Sequence, residues 1–298
     1  MLFALCAMRT LILKSPSKLN LYLKIIRRRS NGYHELVTLF HRISLCDTLR
    51  IQKKPKEFFL RCSDPRLSCG EDNLITRAYR ELQNIFPKLG GVSVNLTKRI
   101  PMGGGLGGGS GNAASFLLGM KKLYSLPVSR MQLVQIAVRL GADVAFFIYD
   151  TSTAIGRGVG EKLKLVPNKI KHWFVLVISR EELSTKQVYQ ALPRKLPAVS
   201  LTKVSRVVTM ISNFFSRKNS HQISQLFAND LEAPAFQLRP SIRQTLLRFH
   251  PLGVTFSGMS GSGPTVFAMV PSLSKAREVA RKIRKQEPDK QVLICHSW

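Results

Sequence analysis

The residues best suited to chemistry form a glycine-rich stretch, Pro101–Ala114, which reads P-M-G-G-G-L-G-G-G-S-G-N-A-A. Six of its glycines are interrupted only by Leu106. Glycine is entropically costly to order, so such a run indicates backbone that needs positive φ or a close approach to an anion. An alternating pattern at 92–96 predicts a strand before it, and helical periodicity predicts a helix over 112–124 that starts near Ser110 or Asn112. Loop amides and a helix dipole would then meet at one point, which favours a phosphate site over a flexible surface loop.

Three familiar phosphate loops can be tested against this stretch. The pattern G-x-x-x-x-G-K-S/T fails, because no Lys follows Gly108 or Gly109. The pattern G-x-G-x-x-G is satisfied from Gly103, but the match is weak in a run so rich in glycine, and no acidic residue lies about 20 positions on for a ribose. The V-A-I-K, H-R-D and D-F-G motifs of protein kinases are absent.

Lys18 and Asn20 are candidates for a site because they lie two residues apart in a predicted strand. Residues 11–14 and 19–26 read as two strands separated by Ser15-Pro16-Ser17. Side chains two apart share one face of a strand, so Lys18 is expected either to point into a phosphate site or to lie solvated on an exposed edge.

A second candidate pair, Tyr33-His34, follows directly on the turn signal Asn31-Gly32. A strand at 35–43 is predicted after it. From the residues alone, the pair is either ordinary surface or part of a ligand site.

Asp143 is the lone carboxylate between Glu81 and Asp150, and its neighbours are apolar. An unpaired Asp among such residues is costly, so it requires a cation such as a Lys or a bound ion. The alternative is that Asp143 caps a helix.

A second glycine turn, Ser260-Gly261-Ser262-Gly263-Pro264, lies between strands predicted at 253–257 and 265–270. It is either a plain hairpin loop or a set of amides that caps a second phosphate.

The remaining pattern predicts an α+β protein with two domains, 1–168 and 169–298. Further strands are expected at 47–52, 58–60, 173–178 and 291–295, with a hairpin over 153–164. Further helices are expected at 72–86, 129–140, 184–191, 201–216, 220–227, 240–250 and 272–286. The order after residue 169 is typical of a split β-α-β domain.

Composition limits the class of protein. The 298 residues carry 46 Lys+Arg and 17 Asp+Glu, a formal net charge of +29 that attracts polyanions. The basic residues are scattered, so nucleic-acid binding is not expected as the main function. Five cysteines without a C-x-x-C pair suit a reducing cytoplasm. No apolar run reaches membrane-spanning length, and Met8 is an alternative start to Met1.

Taken together, the motifs resemble those of the GHMP kinases. They are S-P-S-K-L-N at 15–20, N-G-Y-H at 31–34, E-D-N-L at 71–74, Pro101–Ala114, L-G-A-D-V at 140–144, G-V-G-E at 158–161 and S-G-S-G at 260–263. The resemblance covers nearly the whole chain. It implies an N-terminal α/β domain like that of a ribosomal protein and a C-terminal ferredoxin-like domain, and the Tyr-His motif favours the branch that phosphorylates a cytidine-diphosphate sugar alcohol.

The resemblance also implies roles for individual residues. Asp143 would orient the substrate hydroxyl or accept its proton, and Lys18 would stabilise charge on the transferring phosphoryl group. Residues implied in ATP binding are Asn73, Pro101, Met102, Gly103, Gly104, Gly105, Leu106, Gly107, Gly108, Gly109, Ser110 and Gly111. Residues implied in substrate binding are Asn20, Tyr33, His34, Tyr189, Ser260, Gly261 and Ser262.

The expected cofactors are ATP and Mg²⁺, and the expected partner is a small molecule rather than nucleic acid or membrane, with the chain a monomer or homodimer. One departure matters: Gly111 stands where the family usually has a second Ser, which places the Mg²⁺ arrangement in question. Gly111 leaves a degraded kinase open as an alternative. Two further alternatives are another GHMP kinase and a basic nucleic-acid-binding protein.

Overall fold

The structure is a computed structural model that describes residues 10–168, 170–179, 181, 183–216 and 226–298. The helix predicted at 220–227 falls largely on residues outside that set. The chain divides into two compact units that alternate along the sequence. The first comprises the chain up to Pro16, Cys46–Ile100 and Gly108–Asp150, and the second comprises Ser17–Leu45, Pro101–Gly107 and Thr151–Trp298. The domain boundary near residue 168 stays a prediction.

Two long strands contribute to both units. They are β1 (Thr10–Arg28) and β2 (His34–Lys54), which pair with each other. The first unit adds β3 (Phe58–Cys62), α1 (Leu74–Ile85), β4 (Gly91–Thr97), α2 (Gly108–Tyr124), α3 (Arg130–Leu140) and α4 (Val144–Ile148). Within it, the second half of β2 pairs antiparallel with β4, and β4 pairs parallel with β3.

The second unit holds the remaining elements. Its strands are β5 (Thr153–Gly158), β6 (Lys162–Val166), β7 (Trp173–Ile178), β8 (Phe256–Met259), β9 (Val266–Val270) and β10 (Gln291–His296). Its helices are α5 (Thr185–Gln190), α6 (Leu201–Ser216), α7 (Glu232–Leu238), α8 (Pro240–Leu247) and α9 (Leu273–Gln286), with a 3-10 turn at His250–Leu252. The first half of β2 pairs antiparallel with β5, which pairs with β6.

The split β-α-β prediction is confirmed in the second unit. Strands β7 to β10 form an antiparallel four-stranded sheet in the order β10-β7-β9-β8. Apolar side chains of this sheet and of helices α5, α7, α8 and α9 pack into one core cluster. The α+β class is therefore confirmed.

Local sequence explains where several helices begin. Asn73 caps α1 by accepting a hydrogen bond from the Ile75 amide, and Ser272 caps α9 through the Lys275 amide. Ser129 and Gln132 form a reciprocal capping box at the start of α3. These start signals are readable in sequence because both partners lie within three residues of each other.

Four expectations about elements were wrong. The break predicted at Ser15–Ser17 does not occur, because these residues are buried and Ser17 Oγ donates to the Leu45 carbonyl 2.7 Å away within a continuous β1. The strands predicted at 35–43 and 47–52 are likewise one strand, β2. Helix α2 starts at Gly108, earlier than predicted, and the short helices α4 and α7 were not predicted.

Two histidines of the second unit, His41, which is buried, and His172, which is half-buried, lie close to Ser297. His41 is fully buried, with Nδ1 2.9 Å from Thr153 Oγ1 and Nε2 2.9 Å from Ser297 Oγ. The His172 ring lies 6.2 Å from it, between centroids. Burial lowers the pKa of His41 to about 3, with a smaller effect from His172, and burial lowers the pKa of His172 to about 4.

These shifts predict a loss of stability in mild acid. In the unfolded chain both histidines protonate near pH 6.5, while the folded protein keeps them neutral to much lower pH. The unfolded state thus binds more protons, and the free energy of unfolding should fall below about pH 6.5 by up to about 1.4 kcal/mol per pH unit per histidine. Urea unfolding of wild type and His41→Gln between about pH 6.5 and pH 5 measures it.

In His41→Gln, the free energy of unfolding should fall less steeply with decreasing pH than in wild type, because one of the two histidines no longer contributes. Ser297→Ala is the matched control, since it removes a hydrogen bond to His41 without removing a titrating group. Its stability should fall by the same amount at every pH. An unchanged slope in His41→Gln would contradict the prediction.

No helix among the described residues is long and apolar enough to cross a membrane. Within the described part of the chain, Cys46, Cys62, Cys69 and Cys295 form no disulfide bond with one another.

Candidate active site

The glycine loop adopts the backbone that its composition predicts. In the second unit, Gly103, Gly105 and Gly107 have φ of 67°, 71° and 66°, which L-residues with side chains rarely adopt. Helix α2 follows from Gly108 and has no acidic residue in its first turn. A helix start without negative charge is suited to binding an anion.

Gly105 is the point of the loop where other parts of the second unit converge. Its carbonyl oxygen accepts hydrogen bonds from Lys18 Nζ at 3.1 Å and from Ser260 Oγ at 3.0 Å. A Cβ at this position would lie 2.1 Å from the Ser260 carbonyl oxygen. Any side chain here would therefore push the two glycine turns apart.

Lys18 points into this convergence and is not a solvated edge residue. Only 4% of it is exposed, and Nζ donates to Asn20 Oδ1 at 2.5 Å as well as to the Gly105 carbonyl. Its backbone amide donates to the Leu106 carbonyl at 2.9 Å. The prediction that Lys18 and Asn20 share one strand face is confirmed.

Asn20 is oriented by contacts on both sides of its amide. Nδ2 donates to Thr38 Oγ1 at 2.8 Å, and Thr38 in turn donates to the Tyr22 carbonyl. The backbone amide of Asn20 contacts Ser260 Oγ at 3.3 Å. Asn20 therefore holds the Lys18 ammonium in place, while its role in binding substrate stays a prediction.

The second glycine turn is both a hairpin loop and part of this cluster. It joins the antiparallel strands β8 and β9, so the prediction of a hairpin loop is confirmed. Gly261 has φ 58°, and a Cβ built on it would lie 3.1 Å from Asn20 Oδ1 and 3.5 Å from Lys18 Nζ. Ser262 Oγ lies 2.8 Å from Thr185 Oγ1 at the start of α5.

The Tyr-His motif divides into an exposed and a buried half. Tyr33 is 64% exposed, whereas His34 is 7% exposed and its Nε2 has no hydrogen-bond partner among the residues that the structure describes. The Tyr189 ring lies 5.2 Å from the His34 ring, between centroids. Burial lowers the pKa of His34, and the positive charge of Arg28 lowers it further, so the ring is neutral at neutral pH. The structure thus brings His34 and Tyr189 together, and no ring contact of Tyr33 occurs among the described residues.

Asp143 lies in the first unit, half-buried, at the residue before α4. Asp143 therefore occupies the N-cap position of α4, as the helix-cap alternative predicts, but its side chain makes no capping hydrogen bond. Its proposed part in catalysis stays a prediction.

Asn73 and Gly111, two residues of the first unit implied in ATP binding, also have structural roles. Asn73 uses Oδ1 to cap α1 and donates from Nδ2 to the Ser68 carbonyl at 2.6 Å, so a nucleotide contact by Asn73 stays a prediction. Gly111 is required by packing, because a Cβ there would lie 2.5 Å from the Pro16 carbonyl oxygen and 3.2 Å from Ser15 Oγ. A Ser at position 111 would have to push strand β1 away from α2.

A buried ion pair supports the loop from within the first unit. Asp47 is fully buried and accepts from Lys98 Nζ at 2.5 Å, from the Arg99 and Ile100 amides and from Asn112 Nδ2 at 3.0 Å. It therefore joins the segment that enters the loop to the first turns of α2.

The sequence reasoning missed several residues of these clusters. They are Thr38, Asp47, Lys98, Thr185 and Thr265. Thr265 is fully buried, and its unpartnered Oγ1 lies 2.9 Å from the position of a Cβ on Gly104. The usable signal was a polar residue inside an apolar strand pattern, as at Thr38 and Asp47, because such a residue must find a partner.

No group of three or more His, Cys, Asp or Glu side chains suited to a metal ion occurs within the described ranges.

Comparisons with known proteins agree with this geometry. Residues 73–151 match the family description "GHMP kinases N terminal domain", and residues 212–289 match "GHMP kinases C terminal". The 4-diphosphocytidyl-2-C-methyl-D-erythritol kinase of Syntrophus aciditrophicus is 36% identical over 94% of this chain and 96% of its own length. The kinase of the same name from Acaryochloris marina is 32% identical over 96% of both chains.

A solved structure of 4-(cytidine 5'-diphospho)-2C-methyl-D-erythritol kinase superposes with a TM-score of 0.80 at 32% identity. It covers 97% of this chain and is itself covered completely. The homoserine kinase of Cytophaga hutchinsonii superposes with a TM-score of 0.79 over 100% of this chain and 97% of its own. At 17% identity that second likeness shows the fold alone.

Proposed function

This chain belongs to the GHMP kinases, within them to the family of 4-diphosphocytidyl-2-C-methyl-D-erythritol kinases, and from that premise we propose its reaction. It is an ATP-dependent small-molecule kinase. Its acceptor is the 2-hydroxyl of 4-diphosphocytidyl-2-C-methyl-D-erythritol, in the non-mevalonate route to isoprenoid precursors. The reducing cytoplasm is the compartment that we propose for it.

One observation supports the cytidine substrate in particular: the unsatisfied Nε2 of His34 beside the Tyr189 ring. A buried polar atom without a partner is costly unless a ligand completes it. A neutral imidazole can donate to or accept from the edge of a base, and an aromatic ring 5.2 Å away offers a face for stacking. Mevalonate and homoserine carry no base, so a kinase for either has no use for this pair.

The chemistry proposed is an in-line transfer of the γ-phosphoryl group. The bond from the β,γ-bridging oxygen to phosphorus breaks, and the bond from the substrate oxygen to phosphorus forms, while Asp143 accepts the hydroxyl proton. Lys18 stabilises charge on the transferring group, held by Asn20 Oδ1 and the Gly105 carbonyl. Such transfer depends mainly on positioning and charge stabilisation, which a fixed ammonium and loop amides supply.

Magnesium would enter with the nucleotide and supply neutralisation of phosphate charge. The loop amides over 103–107 and the start of α2 would then bind the remaining phosphate oxygens.

The deciding experiment is ADP release from ATP and Mg²⁺ with 4-diphosphocytidyl-2-C-methyl-D-erythritol, beside mevalonate and homoserine. Turnover with the cytidylyl compound alone supports the proposal. Turnover with either control substrate would replace it with another GHMP kinase. Silence with all three, from folded protein that still binds ATP, would favour a degraded kinase, and RNA binding that falls linearly with log salt would favour a polyanion-binding protein.

We expect substitutions at His34 and Tyr33 to change the KM for the cytidylyl substrate more than kcat. His34→Leu removes the unsatisfied nitrogen at similar volume, so KM for the cytidylyl substrate should rise about tenfold or more with kcat changed less than about threefold, because base recognition is uniform binding. Tyr33→Ala should act in the same direction through lost stacking. Steady-state kinetics with each substrate varied in turn measures both.

The KM for ATP should stay unchanged in both variants. His250→Leu, at an exposed histidine on the 3-10 turn, is the matched control and should leave all constants unchanged. An unaltered KM in His34→Leu would mean that His34 is structural.

A further inference from the structure

The segment that enters α7 carries a buried asparagine that no site described above uses. Asn229 is 8% exposed and lies on the second unit, as do all the contacts that follow. We propose that Asn229 is a positioning residue for phosphoryl transfer, and that it fixes the glycine turn 260–263 against the strand that carries Lys18. This inference rests on the proposed function for its kinetic consequence.

Asn229 spans the glycine turn with its amide. Nδ2 donates to the carbonyl oxygens of Met259 at 2.9 Å and Gly261 at 2.8 Å, one on each side of Ser260. Oδ1 accepts from the Leu231 amide at 3.0 Å, which fixes which way the amide faces. Both amide hydrogens are therefore committed to the turn. Few other side chains can donate two hydrogens and accept a third bond in this geometry.

The residues beside Asn229 connect the same segment to strand β1. Asp230 Oδ2 accepts from the Ile25 amide at 2.8 Å, and Oδ1 pairs with Lys24 Nζ at 3.0 Å. The backbone adds a short parallel bridge, in which the Leu23 amide donates to Ala228 and the Asp230 amide donates to Leu23. The segment is thus joined to β1 by an isolated parallel bridge.

Glu232 adds a second contact to the turn. Its Oε1 accepts from the Met259 amide at 2.8 Å. The turn is therefore bound at an amide and two carbonyls by side chains of one short segment, and the same segment is bound to β1.

The turn is connected to Lys18, the proposed catalytic group, through the Gly105 carbonyl. Ser260 Oγ links the Asn20 amide to the Gly105 carbonyl, and the Gly105 carbonyl also accepts from Lys18 Nζ. A shift of the turn would alter the oxygen that holds the Lys18 ammonium. Errors in position of this kind lower kcat, since transfer depends on alignment. Asn229 is bridged to Leu23, and Leu23 lies on β1, the strand that also carries Lys18.

Asn229→Asp tests the proposal with almost no change in shape. It keeps an acceptor for the Leu231 amide but sets a carboxylate against two carbonyl oxygens. At about pH 8, kcat should fall about tenfold or more, which is the effect of losing one or two buried hydrogen bonds. Burial beside two acceptors raises the pKa of a carboxyl, and its protonated form again donates one hydrogen. The ratio of variant to wild-type kcat should therefore recover at least about threefold between about pH 8 and pH 6.

Two further variants complete the design. Asn95→Asp, at an exposed position of β4, introduces the same charge and should leave the ratio near one at each pH. Asn229→Thr keeps an acceptor without a charge and cannot reach both carbonyls, so it replaces Asn229→Asp if that protein does not fold. Rates are measured well below each melting temperature, so that a loss of stability alone leaves kcat unchanged.

Hydrogen exchange separates this proposal from the proposed function. Peptides covering 257–267 should exchange faster in the Asn229 variants than in wild type, whether or not the cytidylyl substrate is turned over. If wild type releases no ADP with that substrate, the proposed function fails, and the exchange comparison still decides the positioning of the turn. A kcat within about twofold of wild type in the folded Asn229 variants, or unaltered exchange at 257–267, would overturn the inference.

Discussion

Lys18→Met is expected to reduce kcat by about a hundredfold to a thousandfold, since one preorganised charge-stabilising group is worth about 10² to 10³ in a dry site. The Met side chain follows the Lys stem in length and can occupy the same buried volume beside the Phe40 ring, which lies 5.7 Å from Nζ. The fold should therefore survive. The Gly105 carbonyl keeps its bond from Ser260 Oγ when the ammonium is removed.

Rapid-quench measurement of the transfer step, with ATP binding measured separately, gives this result directly. Lys14→Met is the matched control, since Lys14 is exposed on the same strand β1. It should keep wild-type kcat. A loss smaller than about tenfold in Lys18→Met would remove Lys18 from the transition state.

Asp143→Asn is expected to abolish transfer to a similar extent, with binding of both substrates largely kept. The amide is nearly isosteric with the carboxylate but cannot accept the hydroxyl proton. The dissociation constants should change less than about threefold, as expected for a group that acts only in the transition state.

Calorimetric titration of each ligand and single-turnover kinetics measure the two halves of this prediction. Asp150→Asn, at the next and exposed acidic residue along the chain, is the control for a lost negative charge. Full activity in Asp143→Asn would end its assignment as proton acceptor. Loss of binding together with rate would instead make it a ligand-binding residue.

Local features of the chain were predictable to within a few residues. Helices α1, α3 and α9 begin where Asn73, Ser129 and Ser272 predict, because a cap and its partner amide are neighbours in sequence. The start of α2 was placed too late. Gly108 packs against Ile100, where a Cβ would lie 2.9 Å from Ile100 Cγ2, so a glycine is needed there, and that packing leaves no mark in the helical periodicity.

Part of the site was also predictable, for a different reason. The alternation of a strand places Lys18 and Asn20 on one face whatever the strand packs against, and this is where they lie. The Tyr-His motif was found by its turn signal. That only His34 is buried and that it faces Tyr189, 155 positions later, depends on tertiary packing.

Most helices and strands, the glycine turns and the family could be predicted from the sequence, since each of these depends on residues close together in the chain or on motif order. Which buried polar groups become partners depends on the tertiary fold. Asp47 finds Lys98 across 51 positions, and Asn20 finds Ser260 across 240. A buried polar group must have a partner because an unpaired polar group inside a protein is costly. The local sequence does not identify that partner, because it lies far away along the chain.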